Sequence, residues 1–518
     1  MQSGAARLLV ALAAGAVLSL ALPPLGLWPL IFISVPVAAM LLQRRSTTII
    51  GAAFEGWAFG FGYFTAALHW IGFAFLVDAS TYLWMMPFAV GGLAAFLALY
   101  WAAAFAVSRF LKRFGIPVVA SLPLALAVTE LGRGFFFTGF PWAAPGLIAD
   151  GMGGALQLAS LIGMPGLTYW VLLWGLLPWL LWSLLRRQQQ LATPRRAARV
   201  VLALVLLSLL PLGWLWGDNR LAASPRQDVP GVSLLLVQPN VSQSDKWRSD
   251  NAAAMFDQLV GLSTEGEAAK GATHVIWPES SLPFLIEENS AGLARIGDAL
   301  LPGQSLIAGA IRREKAGAPG GDRYFTSILA IDDKGGVVNH YDKWRLVPGG
   351  EFLPLAWLLE PLGFRKVVSL PESFTPGQGP SSINFGAAGA AGLLVCYEII
   401  FPDRLVNPLH RPDWLVNVTN DGWFGNSVGP YQHLAQARMR AVEQNLPVAR
   451  AANTGVSAII DGVGRYVARS DLDVATALRG ALPKAGAATP FSRFGVLLSI
   501  LASLIPALIL VLGFSSRE

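Results

Sequence analysis

The chain has 518 residues, of which 54% are hydrophobic and 14% charged, and its mean hydropathy is +0.52. Soluble globular proteins carry about a quarter charged residues, so this composition excludes an ordinary water-soluble protein. The formal net charge of +6 does not call for nucleic acid, because many basic residues lie in short segments between apolar runs. We therefore expect a membrane protein with no nucleic-acid partner.

Long apolar runs with few charges fill most of the first 217 residues and return near the C-terminus. A helix needs roughly 20 apolar residues to cross the hydrocarbon core of a bilayer. We predict a multi-span α-helical membrane domain with eight transmembrane helices. Their expected positions are about 8–22, 25–42, 51–77, 83–107, 116–131, 160–185, 198–217 and 494–514.

Basic residues are distributed unevenly among the loops between these predicted spans. If Arg7 is cytoplasmic and the spans alternate, the basic loops at Arg44, Arg109 and Arg186 all fall on the cytoplasmic side. Cytoplasmic loops of membrane proteins carry the excess of Lys and Arg. We predict a multi-pass protein of the bacterial inner membrane, with both termini cytoplasmic and residues 220–490 in the periplasm.

The same scheme divides the chain into three parts. We expect residues 1–219 to hold seven spans, 220–490 to form a periplasmic domain, and 491–518 to hold the eighth span and a short cytoplasmic tail. Within the spans the ionisable residues are few, namely Glu55, His69 and Glu130. Intramembrane ionisable groups are often functional, so both structural pairing and a role at a lipid-facing site stay open for them.

Residues 220–490 alternate short apolar runs with helical stretches. Such alternation is typical of a layered α/β domain. The predicted strands lie at 232–238, 274–278, 305–310, 324–332, 336–341, 391–396 and 413–418, and the predicted helices at 246–266 and 430–446.

Cys396 is the only cysteine of the chain, so a disulfide within the chain is excluded. A free cysteine is commonly a small buried hydrophobe. Here, however, an apolar strand at 393–395 leads to Cys396 at the start of a predicted helix. Backbone N–H groups at such a position lower the pKa of a thiol and can hold an oxyanion. Cys396 is therefore a candidate nucleophile, which needs a nearby base.

The histidines of this region lie in no recognised protease pattern, and His433 is the strongest histidine candidate for the base. A carboxylate in a low-polarity pocket can do the same work, and Glu279 follows Trp277-Pro278 at a predicted strand end. Lys343 also follows a predicted strand and could offer a fixed positive charge to an oxyanion. Taken alone, Glu279 and Lys343 could equally be solvated surface residues.

Together, these three motifs resemble the nitrilase superfamily, whose sites use a Glu-Lys-Cys triad. The order Glu279, Lys343, Cys396 is the same, and so are the flanking residues Trp-Pro-Glu, Tyr-Asp-Lys and Cys-Tyr-Glu. The run 417–425 looks like the downstream loop of that superfamily. The resemblance implies an α/β nitrilase-like αββα sandwich with these three residues as the catalytic set.

A membrane-spanning chain with such a domain is similar to the apolipoprotein N-acyltransferase family, including the Thr-Gly-Phe-Pro-Trp run at 138–142. The resemblance implies acyl transfer from a phospholipid, with phosphatidylethanolamine as the expected donor, through a Cys396 thioester. The expected acceptor is the N-terminal α-amine of diacylglyceryl-cysteine apolipoproteins, and no metal, nucleotide or other cofactor takes part. The family residues that bind substrate or support the triad map onto Trp247, Glu351, Tyr397 and Glu398.

We further predict a mobile apolar lid at 355–370 over the site, and an apolar outer loop at 134–148 that helps to admit a lipid. One alternative is a membrane-tethered amidase or nitrilase that acts on small carbon–nitrogen substrates, since it would use the same triad. A transporter or scaffold is the other alternative. The shortage of polar residues within the spans disfavours a transporter.

Overall fold

The computed structural model describes most of the chain. The described residues are 4–44, 47–186, 193–246, 249–282, 284–315, 321–352, 357, 360–362, 374–403, 405–407 and 410–514. Trp247 and most of the predicted lid at 355–370 lie outside them.

The N-terminal part of the described chain is helical. Its long helices are α1 (Gly4–Ser19), α2 (Ile31–Gln43), α3 (Ile49–Leu68), α4 (Met86–Lys112), α5 (Val118–Arg133), α6 (Ala159–Arg186) and α7 (Thr193–Ala222). Later in the chain come α8 (Ala252–Thr264), α9 (Ser290–Ala299), α10 (Gly429–Gln444) and α11 (Val496–Phe514).

Among the described residues, five helical segments are long and apolar enough to cross a membrane. They are Ile49–Leu76, Ala79–Lys112, Gly153–Leu185, Ala197–Ala222 and Val496–Phe514. The other three predicted spans coincide with α1, α2 and α5, which have 16, 13 and 16 residues. At 1.5 Å per residue, 16 helical residues extend about 24 Å, which is less than the bilayer core. A membrane domain is confirmed, and its division into eight spans stays a prediction.

Small residues allow close packing of α1 against α3. A Cβ atom on Gly15 would lie 1.8 Å from the carbonyl oxygen of Phe59, and one on Gly62 would lie 2.0 Å from that of Leu12. Close backbone approach at small residues is how helices associate in membranes. Any larger side chain at Gly15 or Gly62 would therefore push these two helices apart.

The ionisable residues of the predicted spans have partners in the bundle. Arg7 forms an ion pair with Glu55 at 3.3 Å. Glu130 accepts a hydrogen bond from the Trp101 indole at 2.7 Å and pairs with Arg133. These contacts support structural pairing for Glu55 and Glu130. His69 differs, because it is exposed and its Nδ1 lies 2.9 Å from the backbone carbonyl oxygen of Ala66 in α3.

Two six-stranded sheets form the second part of the described chain. One has the order β12-β1-β2-β3-β4-β5 and the other β11-β10-β9-β8-β7-β6. The first sheet contains β1 (Asp228–Gln238), β2 (His274–Trp277), β3 (Ser305–Glu314), β4 (Arg323–Ile331), β5 (Val337–Asp342) and β12 (Thr476–Pro483). The second contains β6 (Ser382–Asn384), β7 (Ala390–Val395), β8 (Trp414–Thr419), β9 (Val448–Ala452), β10 (Ala458–Ile460) and β11 (Tyr466–Arg469).

The two sheets pack face to face, and their inner faces form one apolar core. Leu236 and Ile276 from the first sheet meet Val395 and Val416 from the second. Helices α8 and α9 cover the outer face of the first sheet, and α10 covers that of the second. This is the predicted αββα arrangement, in which central parallel strands are buried on both faces and read as continuous apolar runs.

Helix α10 lies between the second sheet and the membrane helices, and it is buried along nearly its whole length. It has Pro430 in its first turn and is capped at its C-terminus by Asn445, whose φ of 51° is left-handed; both residues suit those positions. On its membrane side, the Gln432 side-chain oxygen accepts hydrogen bonds from the indoles of Trp142 at 2.8 Å and Trp70 at 3.2 Å. The sandwich is thus attached directly to the membrane part of the chain.

Candidate active site

The three predicted catalytic residues follow strand ends in both sheets. Glu279 lies two residues after β2, Lys343 immediately after β5, and Cys396 immediately after β7. Face-to-face packing of the sheets brings these ends together. The Lys343 Nζ atom lies 3.3 Å from the Glu279 carboxylate, and the charges of both residues act on the Cys396 thiol.

Cys396 is buried at the first residue of a short turn, Cys396–Ile400. Its φ of 48° is left-handed, which costs a residue with a Cβ about 1–2 kcal/mol and is common at functional sites. Burial and the negative charge of Glu279 raise the pKa of the thiol, while Lys343 opposes this shift. The resting group is therefore the thiol, and a base must accept its proton during attack.

Lys343 is held between two carboxylates. Its Nζ atom lies 2.9 Å from Glu351 and 3.3 Å from Glu279, and its side chain is 1% exposed. Burial alone would lower the pKa of this lysine, but the carboxylates of Glu351 and Glu279 outweigh burial and raise it. Lys343 therefore keeps its positive charge at every pH at which the protein would work.

The Glu279 carboxylate is oriented by donors on both oxygens. Lys343 approaches one oxygen, and the backbone N–H of Asn420 donates to the other at 3.0 Å. Glu351 is fixed in a similar way, because its second oxygen accepts the Val347 N–H at 2.8 Å. Glu351 therefore lies beside Lys343 and Glu279 and holds the lysine.

Glu398 is buried and joins the lysine loop to the cysteine turn. It accepts hydrogen bonds from the N–H groups of Val395 at 2.7 Å, Trp344 at 2.9 Å and Arg345 at 3.2 Å. The Tyr341 hydroxyl donates to it as well, at 2.9 Å. Burial raises the pKa of Glu398 to about 7, although the three N–H donors favour the ionised form. Its position indicates support for the triad rather than contact with a substrate.

Tyr397 connects the nucleophile turn to the membrane part of the chain. Its hydroxyl donates to the carbonyl oxygen of Gly139 at 2.7 Å, and its ring stacks on Phe140. Both partners lie in the 138–142 run noted in the sequence. Next to them, Phe136 and Phe137 are exposed, so an apolar surface adjoins the active site.

Lys246 is a buried group at the site that sequence reasoning missed. Its Nζ donates to the backbone carbonyl oxygen of Glu279 at 2.9 Å. Burial lowers its pKa to about 8, although the charges of Glu279 and Cys396 act in the opposite direction. In the sequence it lies in the polar run Ser-Asp-Lys-Trp-Arg-Ser-Asp, which is typical of a solvated surface.

The structure also brings together a second polar group, which sequence reasoning did not predict as a group although it had named Cys396, His433 and the run 417–425. The ligating atoms of Cys396, Asp421 and His433 all lie within 4.8 Å of one another, close enough to hold a metal ion. However, Arg450 already pairs with Asp421 at 2.6 Å, and the His433 nitrogens face the Asp421 carboxylate and the Cys396 carbonyl oxygen. A metal ion would have to displace these contacts, so the group fits a hydrogen-bond network better than a metal site.

A buried cysteine with a carboxylate and a lysine, at the strand ends of a two-sheet sandwich, defines a thiol-dependent enzyme of the carbon–nitrogen hydrolase class. The family model described as Carbon-nitrogen hydrolase matches residues 236–486. A second family model, Apolipoprotein N-acyltransferase N-terminal domain, matches residues 14–177. The two matches correspond to the sandwich and to the membrane helices.

Curated relatives extend this match over nearly the whole chain. The apolipoprotein N-acyltransferase of Rhodopseudomonas palustris is 41% identical over 519 residues, which cover 98% of this chain and 95% of the relative. That of Brucella suis is 39% identical over 495 residues, covering 93% and 90%. The chain therefore belongs to the apolipoprotein N-acyltransferase family.

Among solved structures, a mutant of the amidase from Nesterenkonia sp. AN1 is similar to part of the chain. It is 18% identical with a TM-score of 0.35, and the match covers 50% of this chain and 93% of the amidase.

Family membership makes the chain an enzyme, and the buried Cys396 in a carbon–nitrogen hydrolase domain supports acyl transfer through a cysteine.

Proposed function

We propose that this protein transfers an acyl chain from a membrane phospholipid to the N-terminal α-amine of diacylglyceryl-cysteine apolipoproteins. The proposed donor is phosphatidylethanolamine, and the proposed intermediate is a thioester on Cys396. The observation that carries the proposal is a buried thiol with an oriented carboxylate and a fixed ammonium, joined through Tyr397 to the 138–142 run of the membrane part of the chain. A soluble substrate would not require such an attachment.

In the first step, Glu279 accepts the Cys396 proton as Sγ attacks the carbonyl carbon of the sn-1 ester. The carbonyl oxygen becomes an oxyanion, which Lys343 and the Tyr397 N–H stabilise. The carbon–oxygen ester bond then breaks, and Glu279 returns the proton to the leaving oxygen. A lysophospholipid departs, and the acyl chain remains on Cys396 as a thioester.

In the second step, the α-amine of the acceptor attacks the thioester carbonyl carbon. Glu279 accepts a proton from the attacking nitrogen, and Lys343 again faces the oxyanion. The carbon–sulfur bond breaks, an amide forms, and Glu279 gives the proton back to the thiol. A thioester open to water would hydrolyse, so a buried site suits this sequence of steps.

The division into 1–219, 220–490 and 491–518 belongs to the same proposal, as do eight spans, a periplasmic catalytic domain and cytoplasmic termini. Single cysteines in a Cys396→Ala background test the orientation. Ala223→Cys places one cysteine between α7 and β1. Arg113→Cys places the other directly after the C-terminal end of α4. A membrane-impermeant maleimide added to intact spheroplasts should label the first and spare the second. The reverse pattern would contradict the orientation.

Acylation is tested by incubating the purified full chain with phosphatidylethanolamine vesicles and weighing it intact. We expect a gain of one acyl mass that hydroxylamine removes, and no gain in Cys396→Ala. Adding a diacylglyceryl-cysteine peptide should discharge the enzyme and make the peptide heavier by the same mass. If no acyl enzyme forms and ammonia is released from small amides instead, the amidase alternative replaces the proposal.

A further inference from the structure

The backbone carbonyl of the nucleophile is held by side chains that the reaction scheme above does not use. His433 Nε2 lies 3.2 Å from the carbonyl oxygen of Cys396, and the Asn417 amide donates to the same oxygen at 3.4 Å. Both side chains come from the second sheet or from α10, and both residues are fully buried. The carbonyl therefore has two rigid neighbours.

These neighbours belong to one connected network beneath Cys396. His433 Nδ1 lies 2.9 Å from an oxygen of Asp421, and Arg450 donates to the other oxygen at 2.6 Å. Arg450 also donates to the Asn417 side-chain oxygen at 2.5 Å. Buried polar networks of this kind rigidify the groups that they hold.

Fixing this carbonyl also fixes an N–H group. Cys396 and Tyr397 share one planar trans peptide, in which the C=O and N–H bonds point in opposite directions. The Tyr397 N–H lies in the first turn of the 396–400 segment, where backbone N–H groups have no partner within the turn. Because His433 and Asn417 hold the Cys396 carbonyl toward the network, the Tyr397 N–H points away from the network, to the side where an oxyanion can form.

Cys396 needs such a restraint because its left-handed φ of 48° is unfavourable for a residue with a side chain. Without neighbours that hold the carbonyl, the peptide could rotate toward an ordinary conformation, and the N–H would turn with it. His433 also sits next to Gln432, which is bonded to the membrane helices. The same turn of α10 thus holds both the bundle and the nucleophile peptide.

We propose that His433 is a positioning residue that, with Asn417, fixes the Cys396–Tyr397 peptide and aims the Tyr397 N–H at the oxyanion of acyl transfer. This inference rests on the proposed function. It assigns His433 no proton transfer. Nδ1 lies 3.1 Å from an Arg450 nitrogen that can donate to it, which leaves the single N–H of the neutral ring on Nε2, where it faces the Cys396 carbonyl oxygen. Burial and the neighbouring Arg450 also lower the pKa of this histidine.

The test separates oxyanion stabilisation from thiol reactivity in the full-length protein. Acylation by phosphatidylethanolamine vesicles forms an oxyanion, whereas methylation by methyl iodide does not, although both require the Cys396 proton to leave. Both rates are read by mass on the peptide that carries Cys396. In His433→Phe we expect acylation to slow by about 100-fold, the scale of a lost oxyanion donor. Methylation should stay within about 3-fold of wild type, and KM should change little.

Two polar variants keep the test valid if His433→Phe does not fold. A glutamine amide reaches the Nε2 position and an asparagine amide reaches only the Nδ1 position, so His433→Gln should acylate at least about tenfold faster than His433→Asn. Gln436→Leu is the matched control, because Gln436 lies on α10, is fully buried, and its amide atoms have no hydrogen-bond partner among the described residues. It should acylate like wild type.

Three results would overturn the inference while leaving the proposed function intact. Methylation could slow in step with acylation, which would make His433 act on the thiol proton. Acylation could stay near the wild-type rate in His433→Phe. The glutamine and asparagine variants could also be equally slow. By contrast, a wild-type protein that never forms an acyl enzyme would refute the proposed function itself.

Discussion

Replacing Glu398 tests whether this buried carboxylate organises the site. Glu398→Ala removes the acceptor of three backbone N–H groups and of the Tyr341 hydroxyl. A buried donor left unpaired costs about 1–3 kcal/mol. Three N–H groups at the low end of that range give a loss of at least about 3 kcal/mol in the free energy of unfolding.

Glu398→Gln should be milder, because its carbonyl oxygen can keep the donors of Trp344, Arg345 and Tyr341. Its NH₂ group would then face the N–H of Val395, which would lose its acceptor. The unpaired N–H should lower the free energy of unfolding by about 1–3 kcal/mol. Both variants should also slow acyl-enzyme formation, since Glu398 connects the loop after Lys343 to the turn that begins at Cys396.

Denaturant unfolding of the purified proteins in one detergent measures the stability, and intact mass follows acylation. Glu267→Ala is the control, because that side chain is 89% exposed and should change stability by no more than about 0.5 kcal/mol. The reasoning fails if Glu398→Ala unfolds within about 1 kcal/mol of wild type. It fails as well if Glu398→Gln is the less stable of the two.

Three further predictions concern other contacts. Burial lowers the pKa of Lys246 to about 8, so wild-type acylation should slow above pH 8 and Lys246→Met should lack this limb of the pH–rate profile. In the unfolded chain Lys246 holds its proton up to its ordinary pKa near 10.5. The free energy of unfolding of the wild type should therefore rise between pH 8 and 10.5, and this rise should be absent in Lys246→Met. If wild type and Lys246→Met had the same pH profiles of rate and stability, both expectations would be refuted. Gln432→Leu leaves two buried indole N–H groups unpaired and should destabilise by about 2 kcal/mol or more, whereas Gln432→Glu keeps the acceptor, and unfolding curves that rank them the other way would contradict this. Tyr397→Phe frees the Gly139 carbonyl and should cost about 1–3 kcal/mol, and equal unfolding midpoints would exclude it.

Much of the sandwich could be predicted from sequence because its central strands are continuous apolar runs. Strands β1, β7 and β8 and helix α10 lie close to their predicted positions. Strands β9 and β10 of the second sheet were missed, since β10 has three residues and β9 is Val-Ala-Arg-Ala-Ala. Short, alanine-rich strands carry little periodicity, and only pairing with their neighbours makes them strands.

The membrane part shows a different limit. Hydropathy located the predicted spans, but it could not show that the apolar runs near α1, α2 and α5 contain turns and form helices shorter than the bilayer core. Turn geometry at such points depends on packing against other helices, and a sliding average of apolar character does not contain that information.

Some residues of the candidate site could be proposed from the sequence, and others could not. Glu279, Lys343 and Cys396 could be proposed from the sequence because each follows a strand beside distinctive neighbours. Lys246 could not, because its importance comes from losing water in the folded protein. His433, Asp421 and Arg450 are separated in sequence by 12 and 29 residues, and only the packing of α10 on the second sheet brings them beneath the nucleophile.

The attachment of α10 to the membrane helices has a kinetic consequence. Hydrogen bonds from Trp142 and Trp70 to Gln432 join α10 to the membrane part of the chain, so under the proposed function the thiol stays at the bilayer surface. Both proposed substrates are themselves confined to that surface. Encounters are therefore two-dimensional, and turnover should follow the mole fraction of each lipid in the bilayer. Diluting the vesicles with inert lipid should slow the reaction, while diluting them with buffer should not.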